Sequence, residues 1–200
     1  DHAFYCLWSN SLFGLVVFGR AAALKAAELI KPGQEHKALP KDAGEKAIAR
    51  FDRLRQSQGS LKAGDIRKRM QKIMQEHCTV FRTQEHLQKG LDLMKETVES
   101  LKNLGLTDRS LIWNTDLVEA MELENLLSQC LVSLESALAR HESRGGHARD
   151  DYPNRDDEKW LKHSVAWLEG KTKTRLGYRP VHMFTLTDEV EVIPPKPRVY

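Results

Sequence analysis

Between Ala63 and His141 the apolar residues recur at alternating three- and four-residue steps, and this pattern constrains the fold more than any other feature of the chain. Ile66, Met70, Ile73, His77 and Val80 form one stripe, and Leu87, Leu91, Met94, Val98 and Leu101 form a second. Leu117, Met121, Leu127, Leu131, Leu134 and Leu138 form a third. A helix turns about once every 3.6 residues, so each set occupies one face. The spacing predicts helices over 63–81, 84–104 and 114–141. Amphipathic helices joined by short connections pack as an antiparallel bundle.

The segments on either side read differently. Residues 9–30 predict a helix capped by Ser9 or Asn10. Leu12, Leu15, Val16, Phe18 and Ala22 leave it apolar around much of its circumference, which predicts burial. Arg20, Lys25 and Glu28 make it too polar to span a membrane. The prolines and glycine of 31–41 read as a linker. Asp42 with Glu45 reads as a capping box opening a short helix that ends near Gln58-Gly59. Past Gly145-Gly146 the helical period disappears. Residues 162–168 and 173–179 alternate as two strands around Gly170 and Lys171, and the proline-rich end should run extended.

Acidic and basic residues, 28 against 31, are interleaved along the chain. Such interleaving marks solvated helix surface rather than the one-sided basic patch of a nucleic-acid binder. Cys6, Cys78 and Cys130 are odd in number and far apart, which points to a reducing compartment. The histidines form none of the helical metal motifs, so no metal site is expected. His77 reads either as a buried ligand or proton shuttle, or as a core histidine with one backbone partner; the core reading is preferred, because no second titratable group shares its face. In 142–157, Arg144, Arg149 and Arg155 lie close to Asp150, Asp151 and Asp156. Local pairing is expected there, with His147 and Arg149 the two candidates for an interface.

Three stretches carry a resemblance. NSLFGLVVFGRAA at 10–22 resembles the N-S-L-L-x-L-V-V-F-G-R-A-A element of succinate dehydrogenase and fumarate reductase flavoproteins. MQKIMQEHCTVFR and DRSLIWNTDLVEAMELENLL are similar to that family's helical domain. ESRGGHARDDYPNRDDEKWLKHS resembles its E-S-R-G-x-H-x-R-x-D-x-P-x-R-D-D sequence, and the Pro-Pro-x-x-Arg-x-Tyr ending resembles the mitochondrial-type members.

The resemblance implies a mainly α fold, in which the closing helix of a flavin-binding domain (1–35) precedes an antiparallel helical bundle (36–150) and a small β hairpin with an extended tail (151–200). It implies FAD, shared with and covalently linked to a partner chain, with Ser11 and Leu12 at the flavin. Their amides, at a helix N-terminus, would stabilise negative charge on the reduced ring. Without the resemblance these residues read as the plain start of a core helix. Implied partners are an N-terminal flavoprotein chain, an iron–sulfur subunit and, indirectly, membrane anchor subunits. The implied location is the matrix side of the mitochondrial inner membrane.

The family's G-x-G-x-x-G turn does not occur in this sequence. Where the family pattern has a substrate-binding arginine, five positions before the serine, Cys6 stands, and Trp8 takes the place of a glycine. A cysteine lacks the charged fork that holds a carboxylate. The expectation is therefore one part of a divided flavoprotein that oxidises succinate to fumarate with its partner. A fragment of an undivided subunit, or a helical adaptor without redox activity, are the alternatives.

Overall fold

A computed structural model of the chain describes residues 10–185 and 187–196. The readings placed on Cys6, Trp8, Ser9 and the terminal Arg-Val-Tyr lie outside these residues. Helix α1 spans Asn10–Leu29, α2 Glu45–Arg55, α3 Ala63–His77, α4 Gln84–Ser100 and α5 Thr115–Ala139. A two-residue strand β1, Phe81–Arg82, precedes α4; β2, Ala148–Arg149, and the single turn α6, Asp157–Trp160, follow α5. Strands β3, Lys162–Leu168, and β4, Thr174–Pro180, complete the order.

The three stripes form the core. From α3 come Ala63, Ile66, Met70 and Ile73, and from α4 come Leu87, Leu91, Met94 and Val98. From α5 come Leu117, Ala120, Leu123, Leu127, Leu131 and Leu134. Helix α4 runs antiparallel to α5: the Gln84 side chain at its start reaches the Arg149 guanidinium that also binds the Ala137 carbonyl. Beyond its other end, the Thr107 amide meets the Asp116 carboxylate in the first turn of α5. Side-chain caps fix two helix starts, with Thr83 accepting from the His86 amide and Asn114 from the Leu117 amide. Asn114 also donates to the carbonyls of Asp108 and Ser110, both at 2.9 Å. These bonds brace a loop that holds Trp113 at φ 53°, with its side chain 93% exposed.

Several sequence expectations move. The stripe of α3 stops at His77, and Val80 is exposed, because the chain has by then left the helix for β1. His77 is half-buried, but its Nδ1 has no hydrogen-bond partner, contrary to the one backbone bond expected. A titratable neighbour does face it, from the adjacent helix: the His86 ring stands edge-on at 5.8 Å. Burial, helped by Lys89 and His86, lowers the pKa of His77. The capping box does not form. Gly44 at φ 90° is the residue before α2, and Asp42 instead accepts the Glu45 amide through its backbone carbonyl.

The largest departure is α1. Leu15, Val16 and Phe18 are each about 70% exposed, and every residue from Leu15 to Ile30 is exposed. Apolar patterning says that a face wants cover without saying what supplies it, and no element of the described residues packs on this helix.

The hairpin follows expectation. Strands β3 and β4 pair antiparallel from Lys162↔Pro180 to Leu168↔Thr174, with Gly170 at φ 96° in the turn. The hairpin rests on α5. Strand β1 pairs in parallel with β2, tying the α3–α4 connection to the 142–157 loop.

Candidate functional site

Two regions drew functional expectations, and they differ in kind. Ser11 and Leu12 lie in the first turn of α1. The first amides of a helix have no intrahelical acceptor and carry about half a positive charge between them. This turn therefore has donors to offer, and the helix beyond it is uncovered.

The 142–157 loop is locked from within. Glu142, 0% exposed, accepts from Arg140 Nη1 at 2.5 Å, from Arg144 Nε at 2.8 Å and from the Asp156 amide at 3.0 Å. Burial alone would raise its pKa, but the bonds from Arg144, Asp156 and Arg140 outweigh burial and hold it below the ordinary carboxyl value. Arg144 also reaches Asp157 at 2.6 Å, and Asp157 in turn accepts from Arg155 at 3.0 Å.

Arg149 is 1% exposed. Its fork grips Asp151 through two bonds of 2.7 Å. Its remaining N–H groups meet the carbonyls of Ala137 at 3.2 Å and Leu138 at 3.3 Å, and the Gln84 side chain at 3.1 Å. It thus caps the C-terminal end of α5, where free carbonyls and the helix dipole both favour a cation. The Arg149 hydrogen bond, assisted by the Gln84 amide, pulls the pKa of Asp151 down to about 2.

His147 accepts at Nδ1 from Arg82 Nη1, 2.7 Å away, and donates from Nε2 to the Arg140 carbonyl, 3.1 Å away. A guanidinium only donates and a carbonyl only accepts, so this network assigns the neutral Nε2–H tautomer. Burial lowers the pKa of His147, and the charges of Arg82, Arg149 and Arg140 push it the same way.

Local pairing is thus found, with Arg149 on Asp151 as expected, whereas Arg144 takes Glu142 and Asp157, and Arg155 takes Asp157, in place of Asp150 and Asp156. Asp156 instead caps α6, accepting from the Lys159 amide. Arg149 is not an interface residue, because it is fully enclosed. Sequence reasoning missed Glu142 as the hub, although a glutamate two residues from an arginine on each side was visible. No group of three or more metal-ligating side chains occurs among the described residues.

The described fold superposes on chains of known reductases. A chain of E. coli quinol fumarate reductase superposes with a TM-score of 0.78 at 36% identity, over 86% of this chain and 30% of that one. Adenylylsulfate reductase from Archaeoglobus fulgidus, at 22% identity and TM-score 0.65, shares the fold. In sequence, the family described as fumarate reductase flavoprotein C-term matches residues 67–200. The succinate dehydrogenase flavoprotein subunit of Rickettsia bellii is 54% identical over 97% of this chain and 33% of its own length. The mitochondrial succinate dehydrogenase [ubiquinone] flavoprotein subunit of Oryza sativa is also 54% identical, over 97% of this chain and 31% of its own.

The chain belongs to the fumarate reductase and succinate dehydrogenase flavoprotein family and matches its C-terminal part. It spans about a third of the length of these relatives.

Proposed function

We propose that this chain supplies the C-terminal portion of a succinate dehydrogenase flavoprotein, in an assembly that oxidises succinate to fumarate. The observation that carries the reading is 54% identity to succinate dehydrogenase flavoproteins along 97% of the chain. In this reading residues 1–35 close a flavin-binding domain, 36–150 form the helical bundle and 151–200 the hairpin and tail. An N-terminal flavoprotein chain completes the FAD site and carries the covalent link, and an iron–sulfur subunit receives the electrons. Attachment to the matrix side of a mitochondrial inner membrane runs through anchor subunits. No helix among the described residues is long and apolar enough to cross a membrane.

The residues present fit a flavin edge. The free amides of Ser11 and Leu12 would donate to the electron-rich side of the ring, and the α1 dipole would favour negative charge there. When bound, FAD supplies hydride acceptance and onward transfer of electrons towards quinone. The bare surface of α1 is where the flavin-binding domain would pack.

The test is native purification from the source, with mass spectrometry and flavin absorbance of the material recovered. The reading expects a flavoprotein carrying covalent FAD and the family's upstream motifs, joined to these residues or bound to them. Recovery of the chain alone and colourless would replace this reading with that of a helical adaptor.

A further inference from the structure

Arg82, Arg140, Arg144, His147, Lys162 and His163 line a cleft of about 860 Å³ between the end of α5, the 142–149 loop and β3, and no carboxylate lines it. Arg140 and Arg144 are compensated by Glu142. Arg82 and Lys162 are not. Arg82 spends its bonds on the carbonyls of Thr79 and Cys78 and on the neutral His147, and has no carboxylate partner among the described residues. Two of its five N–H groups remain free. Lys162 Nζ sits 4.8 Å from the Trp160 ring centroid and 4.3 Å from that of Tyr178, with no acid on it among the described residues. Cation–π contacts hold an ammonium in place and leave its N–H donors available.

Two fixed cations without counter-ions among the described residues therefore share a groove that the Trp160 ring also lines. The groove is open to solvent, which suits an extended segment better than an enclosed small molecule. We propose that this cleft docks an acidic segment of a neighbouring polypeptide, with one carboxylate on Arg82 and a second on Lys162. Charge complementarity carries the assignment, since the lining is wholly cationic where it is ionised.

The test uses the native assembly. A zero-length carbodiimide couples a lysine amine to a carboxylate already in contact with it, and mass spectrometry of the digest identifies the pair. Lys162 should couple to an Asp or Glu of another polypeptide, and it should be acetylated at least tenfold more slowly than the exposed Lys89. Lys162→Gln should raise the dissociation of that neighbour at moderate salt by at least tenfold, and Lys89→Gln should leave it unchanged. Acetylation of Lys162 as fast as Lys89, with no coupled product, would overturn the proposal. So would coupling to Asp188, Glu189 or Glu191, which would place the chain's own tail in the cleft. Flavin content plays no part in this readout: a colourless assembly with Lys162 coupled would sink the redox reading and leave the docking surface standing.

Discussion

Gly90 of α4 lies so close to His77 of α3 that a Cβ on the glycine would stand 2.6 Å from the histidine Cβ. The same Cβ would stand 3.3 Å from a Leu134 methyl of α5, so one missing side chain sets the approach of the three central helices. Gly90→Ala is expected to cost about 1 to 3 kcal/mol, the usual range for overpacking. Denaturant unfolding measures it. In a His77→Gly background the same substitution should cost less, since the clash is with His77; an equal cost would refute this account.

Arg149 closes the end of α5 with a planar fork that lysine cannot imitate. Arg149→Lys leaves the α5 carbonyls short of donors, and a loss of about 1 to 3 kcal/mol is expected for buried acceptors left unpaired. Hydrogen exchange at the last turn of α5 should accelerate with it. Unchanged protection there would mean that Arg149 does not cap the helix.

The depressed pKa of Asp151 has a defined sign. Its carboxyl is more acidic folded, at about 2, than in an unfolded chain, where 3.8 applies. The carboxylate therefore contributes stability that is complete above about pH 4. That contribution is lost as pH falls towards about 2. Asp151→Asn should lower stability at neutral pH and flatten its decline over this window. A parallel decline in both proteins would remove Asp151 as its source.

The proposed role of the α1 amides can be tested without truncating a side chain's function. Proline is tolerated in the first helical turn, where its missing N–H had no intrahelical partner. Leu12→Pro in the assembly should lower the flavin reduction potential by about 30 to 60 mV. That figure converts a hydrogen bond to a charged acceptor, about 1.5 to 3 kcal/mol, for a two-electron couple. An unchanged potential would return Ser11 and Leu12 to the plain start of a helix.

The core was legible because burial in a helix leaves a period in the sequence. Leu87, Leu91, Met94 and Val98 could be named before any coordinates, and all are buried. What was not legible depended on conformation or on distant segments. Asp42 and Glu45 have capping-box spacing, but Gly44 in the left-handed region opens the helix instead. Arg149 looked like a surface charge because its carbonyl partners in α5 carry no sequence signature. The cationic cleft was invisible for the same reason: Arg82, Arg140 and Lys162 come from three separate stretches and meet only in the fold.

Helix α1 also bears on how long such a molecule survives in a cell. An uncovered apolar rod is what chaperones hold and proteases recognise, so its cover acts as a licence against degradation. In the proposed reading, the flavin-binding domain that packs on Leu15, Val16 and Phe18 would shield them from that fate.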